Sequence, residues 1–527
     1  MYKKLIRKIS FKKTYLQLRG AKILKEKNDP FFVSNTVSSL SEVSLDLNEK
    51  DFPRCLVGSH AAKVEILLRQ AFLKRYSQVC TSLMYSIGSG KPLIEALPPS
   101  WIAHIKSKGI KSSLFFSSLK LYLLALANVI IGCKLFFVFL IQVKFQKRPE
   151  SPYVVFIDLQ KNNLPITGEI KSCDIISWYK NSKIRTSTIK EIWAQAVVNK
   201  SYIAEPGLFV TQFIFPKINL LRKYIIFLLK GITSLFVAII GILRGRWWYG
   251  YLYRESITLH YICSLSSDSL AEDYYFHNSG WFYKPLWTYE VEKKGSKVSL
   301  YYYSTNMKQI NFNEYVREVT YGLKSMSWER FLVWDQYQED YLKQFCPMAS
   351  FIKVGYLDFS GKPFINNSKE NKRILSIFDV TPTRQLKYIS LGYAIPPYYS
   401  EELNLKFLEE IIKAVNTKKW LILWKPKRVV GSDYVSNTFK RKQASLTEKY
   451  ITKVKPDISA NSLVENSDAV ISMPFSSPSV YAKIKGIPSI FYDASKQIKI
   501  DKIVSHNILI VKNKIELEEW CQSLKLT

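Results

Sequence analysis

The last third of the chain alternates short apolar runs with amphipathic ones. Residues 373–380, 420–424, 469–472, 489–492 and 507–511 are rich in β-branched and aromatic side chains and bounded by turn formers. That is the pattern of strands buried on both faces. Between the first two runs, residues 401–416 place Leu405, Leu408, Ile411, Ile412 and Val415 on one helical face, with Glu401 and Glu402 near the positive end. Strands alternating with helices predict a parallel sheet covered on both sides. Such sheets bind ligands at the carboxyl ends of their strands.

Upstream, residues 1–110 read as mostly helical, with a helix start at Pro98-Pro99-Ser100-Trp101. From about residue 152 the texture becomes strand–loop–helix. Residues 153–158, 298–303 and 331–335 read as strands, and the polar, turn-rich stretch 359–371 marks a domain boundary. Gly88-Ser-Gly-Lys-Pro92 is a turn and not a phosphate loop, because Tyr85 stands where the first glycine belongs and Pro92 replaces the metal-binding hydroxyl. The expected organisation is a basic helical region over 1–110, an apolar helix over 111–145, a first Rossmann-like domain over 146–365 and a second over 366–527.

Two stretches break the soluble pattern. Residues 114–143 are apolar except for Lys120 and Lys134, and residues 224–243 carry only Lys230. Each approaches the roughly 20 residues that span a bilayer. Both have basic residues on both sides, so the positive-inside rule assigns no orientation. Two true spans would put residues 144–222 outside the cell, and with them the buried strand at 153–158. The favoured reading is therefore a pair of helices in the cytoplasmic leaflet, with lysines reaching the headgroups and Trp247, Trp248 and Tyr249 as an aromatic anchor. Core helices of a soluble protein are the alternative.

Composition sharpens this picture in two ways. The 527 residues carry a formal net charge of +33, with Lys and Arg dispersed along the chain and not gathered in one tract. Dispersal argues against a nucleic-acid groove and suits an anionic membrane surface and phosphorylated ligands. The seven cysteines and five histidines are scattered without metal-ligand spacing, which suits a reducing compartment and predicts no metal site. No apolar signal segment opens the chain, so the catalytic machinery is expected at the cytoplasmic face.

The sharpest chemical feature lies in residues 468–493. A strand ends at Met473-Pro474, and Ser476 and Ser477 then stand before Pro478 at the start of a helix that Gly486 closes. Ser477 is the expected cap. Free backbone N–H groups, the helix dipole and two hydroxyls converge there, which is the make-up of a phosphate site. Lys425, Lys427 and Arg428 follow directly on the strand at 420–424, at the same carboxyl edge. Asp379, Thr381 and Thr383 end the neighbouring strand and are candidates for nucleotide or sugar contact, as is Pro474.

The pairing of a Lys-Pro-Lys-Arg strand end with a Ser-Ser turn resembles the donor sites of bacterial sialyltransferases, polysialyltransferases and capsular Kdo transferases. More closely, Pro474-Phe475-Ser476-Ser477 resembles the signature of the polysaccharide-biosynthesis family named for its Pro-Phe-Thr-Ser motif. The block 275–295, Tyr303-Ser-Thr-Asn306 and Val333-Trp-Asp-Gln-Tyr-Gln338 support the same assignment. The likeness runs from about residue 152 to 493. Ser476 replaces threonine and keeps its hydroxyl, whereas Lys427 stands where sialyltransferases carry histidine.

The resemblance implies a GT-B-like α/β fold with two Rossmann-like domains facing across a cleft. It implies a glycosyltransferase of surface-polysaccharide biosynthesis, taking a sugar from a nucleotide-sugar donor, for example a CMP-activated nonulosonate or Kdo-like sugar, to a lipid-linked or growing glycan. Lys425, Lys427, Arg428, Ser476 and Ser477 would hold the donor phosphate. No acidic-pair-glycine signature is found, so the candidate bases are Asp158, at the end of a strand, and His277. The chain contains no Asp-x-Asp, so cations and a helix terminus are expected to replace a divalent ion, with no cofactor. A sugar-nucleotide epimerase and a non-enzymatic membrane- or nucleic-acid-associated protein are the rival classes, and nothing in the chain resembles a nucleic-acid module.

Overall fold

The computed structural model describes residues 2–142, 147–165, 173–280, 282–305, 310–312, 314–315, 317–365, 372–396, 398, 400–415, 419–427 and 435–524, with side chains described from residue 12 onward. Among these residues the chain forms two parallel sheets. The first contains β1 (Tyr153–Leu159), β2 (Glu191–Ala196), β3 (Tyr202–Glu205), β4 (Leu208–Thr211), β5 (Asp273–His277), β6 (Lys297–Tyr301), β7 (Arg330–Val333) and β8 (Ser350–Lys353). Its order is β3-β4-β2-β1-β5-β6-β7-β8, and only β3, paired with β4, runs antiparallel. The second contains β9 (Arg373–Phe378), β10 (Trp420–Lys425), β11 (Thr452–Lys453), β12 (Ala469–Ser472), β13 (Ser489–Tyr492) and β14 (Ile510–Val511), in the order β11-β10-β9-β12-β13-β14. From β9 the chain winds outward to β11, then returns to the other side of β9 through β12. This doubly wound order has its switch point between β9 and β12. The result is the GT-B-like α/β arrangement that the resemblance implies.

The expected strand at 507–511 shrinks to two residues. His506 and Asn507 take φ of +52° and +53°, which no strand residue adopts, so pairing begins only at Ile510. Asp335, expected inside a strand, instead caps the helix Gln336–Lys343 by accepting from the Gln338 N–H at 2.9 Å.

The amino-terminal helices α1 (Tyr2–Glu26), α2 (Val64–Leu73) and α3 (Tyr76–Ser89) share one continuous apolar core with both sheets. The amino-terminal region touches the second half as well: the Ser34 N–H, in the helix Phe32–Ser39, donates to the Gly392 carbonyl at 3.2 Å, and the Tyr76 hydroxyl of α3 to Leu391 at the same distance.

Among the described residues, two helices are long and apolar enough to cross a membrane: α4 (Leu114–Gln142) and α5 (Leu221–Leu243). They run antiparallel. The Tyr122 hydroxyl near the start of α4 donates to Gly245 beyond the end of α5 at 2.6 Å, while Phe136 meets Phe227 edge-on at 5.3 Å. One side of each packs on α6 (Trp248–Ser264), whose buried Ser256, His260 and Ser264 make it a helix of the protein interior. Ser234 of α5 donates to the Cys55 carbonyl at 2.8 Å and meets His260 Nε2 at 2.8 Å, and burial pushes the His260 imidazole down to about 4. The other side is open. Ile130 of α4 and Phe236 of α5 are 70% and 61% exposed. A patch of this extent on a folded chain marks a surface that meets something apolar.

Small residues set the spacing of this layer. A Cβ at Gly250 would lie 2.3 Å from the Ala125 carbonyl oxygen, backbone against backbone. Gly250→Ala must therefore push α4 away from α6. The expected cost is about 1–3 kcal/mol, read as a lower melting temperature of the purified protein. An unchanged melt would show that the two helices do not pack in this way.

Candidate functional site

The site is built by strand register. Phe378, the last residue of β9, pairs with Lys425 of β10 on one side and with Ser472 of β12 on the other. The three strands therefore end level, and the residues that follow them (Asp379, Pro426-Lys427 and Met473 to Ser477) share one edge. The Met473 N–H continues the ladder by donating to the Phe378 carbonyl at 3.0 Å.

Asp379 is 4% exposed. One carboxylate oxygen accepts from the Lys427 N–H at 3.0 Å, the other from Asn404 Nδ2 at 3.0 Å, Asn404 lying on α7 (Glu401–Ala414). Asp379 thus fixes the backbone of the cationic strand end. Burial pushes its carboxyl up to about 6, against the lowering effect of these hydrogen bonds and of the Lys427 charge. Lys425 is also buried, with Nζ donating to the Pro456 carbonyl at 3.2 Å. Burial lowers its pKa, while the carboxylates of Asp379 and Asp457 oppose that shift. Lys427 is exposed.

The Pro-Phe-Ser-Ser turn departs from expectation in one respect. Phe475 takes φ +63°, a left-handed conformation unusual for an aromatic residue, and its ring packs edge-on against Phe491 at 5.9 Å. Helix α8 (Ser477–Ile484) follows, and Gly486 at φ +72° lies just past its end. Ser476, not Ser477, occupies the cap position, and no side chain caps the helix. The Ser476 hydroxyl donates backward to the Met473 carbonyl at 2.5 Å. The Ser477 hydroxyl reaches across to the first half, where it accepts from the Thr305 N–H at 2.9 Å and the Thr305 hydroxyl at 3.2 Å. The left-handed turn at Phe475 directs the chain so that Ser477 faces the cleft rather than its own helix.

Lys425, Lys427, Asp379, Ser476 and Ser477 line one cleft cavity of about 280 Å³, together with Asn162, Tyr303 and Ser304 from the first sheet's loops. Tyr303 stacks on Phe359 at 4.0 Å with rings 8° apart, and both form part of the wall. Asn162, Phe359 and the Ser304-Thr305 step are the site residues that sequence reasoning passed over. Thr305 follows β6, so the carboxyl-edge rule applied to the first sheet would have found it. Thr381 lines an adjoining cavity of about 440 Å³ with Asp379, Lys427, Lys440 and Lys453. Thr383 turns its hydroxyl to the Thr381 carbonyl at 3.4 Å, and Pro474 is buried within the turn. Arg428 lies outside the described residues.

Asp158 interrupts the β1–β2 ladder. Its φ is +58°, the register shifts between Phe156 and Leu159, and the side chain is exposed. Asn162 of the same loop reaches the cavity wall. His277 lies beside Asp158 but has both ring nitrogens engaged. Nε2–H donates to the Asp158 carbonyl at 2.9 Å, and Nδ1 accepts from the Ser279 N–H at 3.3 Å. Burial lowers its pKa, which suits this neutral tautomer. With both nitrogens committed, His277 is placed to hold the Asp158 backbone rather than to take a proton.

The raised pKa of Asp379 carries a stability consequence. The folded chain holds this proton up to about pH 6 and the unfolded chain only up to its ordinary 3.8. The contribution to stability is therefore full below pH 4 and is lost as pH rises through 6. Asp379→Asn keeps an acceptor for the Lys427 N–H and removes the buried charge. It should be at least as stable as wild type near neutral pH, by up to about 3 kcal/mol, with the difference vanishing toward pH 4. Paired melts across that range check this, and a variant equally destabilised at every pH would contradict it.

The sequence matches no curated protein. Among solved structures it is similar to the trehalose 6-phosphate synthase of Burkholderia multivorans, at 7% identity over 71% of this chain and 90% of that one, with a TM-score of 0.35. It is similar to the trehalose-6-phosphate synthase OtsA at 11% identity over 72% and 92%, with a TM-score of 0.36. It is also similar to the pneumococcal O-GlcNAc transferase GtfA, solved with UDP and GlcNAc, at 11% identity over 51% and 52%, with a TM-score of 0.29. The family described as polysaccharide biosynthesis PFTS motif protein matches residues 227–521, more than half of the chain, including β5 to β14 and the Pro474-Phe475-Ser476-Ser477 turn that forms one wall of the cleft. The chain belongs to that family.

Proposed function

We propose that this chain is a glycosyltransferase that moves a sugar from a nucleotide-sugar donor, held in the cleft cavity, to a glycan acceptor at the cytoplasmic face of the membrane. The observation that carries this reading is the meeting of Lys425, Lys427 and the start of α8 at the switch point of the second sheet, directly opposite loops of the first. The start of a helix and two lysines suit the phosphates of a sugar nucleotide. As the bond from the anomeric carbon to the phosphate oxygen breaks, the electron pair leaves with the nucleotide. The same groups then stabilise charge that grows toward the transition state. The acceptor hydroxyl attacks the anomeric carbon and gives its proton to Asp158, the exposed carboxylate whose loop reaches the opposite wall through Asn162. The stacked Tyr303 and Phe359 offer a flat face for a sugar or a base. The resemblance to sialyl- and Kdo transferases makes CMP the first nucleotide to try, before UDP and GDP.

Membrane attachment in this reading comes from the open apolar side of α4 and α5. Their other side is held along its length by α6, which carries Arg254, Glu255 and His260. A helix of that composition is costly to draw into hydrocarbon, so the pair is read as lying in one leaflet rather than crossing it. Dispersed basic charge adds attraction to anionic headgroups.

Two variants test the donor and base assignments separately. Lys427→Ala should weaken donor-nucleotide binding on the order of tenfold, because a hydrogen bond to a charged phosphate is worth about 1.5–3 kcal/mol, and the loss should shrink at high salt. Wild-type affinity in this variant would remove the donor-site reading. Asp158→Asn suits the left-handed backbone and should keep nucleotide affinity, while transfer of radiolabelled sugar into membrane lipid falls by about 10²–10⁴-fold. Undiminished transfer would assign the base elsewhere.

A further inference from the structure

A separate cavity of about 240 Å³ opens where the end of α2 meets α4 and α6. Its polar lining is unusual for a crevice beside an apolar helix. The Lys74 ammonium sits 3.4 Å from the centre of the Tyr283 ring, and the Tyr283 hydroxyl donates to Glu255. The second Glu255 oxygen accepts from the Leu286 N–H at 3.2 Å. Arg254 Nη1 approaches Asn128 Oδ1 at 3.4 Å, and Asn128, a buried amide within α4, also donates to the Leu124 carbonyl at 2.8 Å. Arg75 is committed to Glu95, Gln78 and the Ala96 carbonyl. Lys74 and Arg254 therefore face the cavity against the single carboxylate of Glu255.

The decisive group is Tyr251. It is 9% exposed, lines the cavity, and its hydroxyl has no hydrogen-bond partner. A buried hydroxyl left unpaired carries a desolvation cost that a bound acceptor would remove. Two cations and an orphaned hydroxyl around one small volume suit a phosphate group. The remaining walls are hydrocarbon: Leu67 and Leu68 of α2, and Leu124 and Ile131 of α4. Ile131 is 44% exposed and continues into the open face with Ile130. A free phosphate ion has no use for such walls, whereas a phosphate carrying a hydrocarbon chain does. Burial lowers the Lys74 pKa, and the Glu255 carboxylate chiefly opposes that shift.

We propose that this cavity binds the phosphate of a membrane-embedded lipid whose chain lies along the exposed face of α4, and that the lipid-linked acceptor is presented from here. The proposal rests on the glycosyltransferase reading for its purpose, but its binding test does not depend on that reading. Full-length protein is sedimented with phosphatidylcholine vesicles containing either a polyisoprenyl phosphate or the uncharged polyisoprenol. Phosphate-bearing vesicles should be bound about tenfold more tightly. The double variant Lys74→Ala/Arg254→Ala should bind both kinds equally. Tyr251→Phe should lose several-fold in affinity for the phosphate lipid, yet melt at the same or a higher temperature without ligand, since its hydroxyl makes no bond within the protein. Equal binding of both vesicles by wild type, or wild-type discrimination in these variants, would overturn the proposal. Full displacement by inorganic phosphate would assign the cavity to a free ion and overturn the lipid assignment. Nucleotide titration of the same variants should match wild type. If wild-type protein binds no nucleotide while vesicle discrimination stands, the donor reading falls and this one does not.

Discussion

Phe378 is paired on both sides, with Lys425 and with Ser472. That double register brings three strand ends level, and the cleft chemistry depends on it. A slip of one residue in β10 would exchange the faces of Trp424 and Lys425, sending the lysine into the core and the indole toward the cleft. Asp379 then locks the loop beyond the ladder through the Lys427 N–H, so the backbone of the cationic segment is fixed by a buried carboxylate. Asp379 is buried at this cationic edge, where its two oxygens accept hydrogen bonds from the Lys427 N–H and from Asn404.

The two halves are tied by few but directed contacts. Thr305 meets Ser477, and Asp335 meets His506 at 2.6 Å. In both pairs the first partner follows a strand of the first sheet. Each sheet therefore contributes its carboxyl-edge loops to the same cleft. The amino-terminal helices bridge the same halves from outside, and the apolar layer of α4 and α5 is attached mainly through α6, with Ser234 of α5 also tied to the Cys55 carbonyl.

The second sheet was legible because its strands are short, apolar and separated by a clean amphipathic helix, the setting in which periodicity is informative. Its edge was less so: the apolar run Ile508-Leu-Ile-Val511 reads as a strand from its start, and the left-handed φ of His506 and Asn507 that delays pairing is not part of that pattern. The residues that share the second sheet's cleft edge were legible because strand ends in a parallel sheet converge by rule. What the rule does not give is direction. It placed Ser477 correctly at the start of a helix but assigned its hydroxyl to that helix, whereas the partner is 172 positions away, at Thr305. The stacked Tyr303 and Phe359, and the engagement of both nitrogens of His277, are likewise long-range facts. The apolar helices α4 and α5 were visible in composition, but only packing shows that each presents one side to the protein and leaves the other open.

Phe475 separates the two halves of the family's motif into different kinds of information. Proline and phenylalanine describe a shape: a strand that stops, then a backbone forced into a region that costs an aromatic residue about 1–3 kcal/mol. The two hydroxyl residues describe hydrogen-bonding capacity. The hydroxyl positions can therefore exchange serine for threonine, as Ser476 does, without disturbing the shape. A β-branched residue at position 475 would fit the left-handed backbone far worse and would misdirect the serines without touching any ligand. The motif works as a spring-loaded bend followed by its polar cargo, and the anchoring of the Phe475 ring against Phe491 keeps the bend from relaxing.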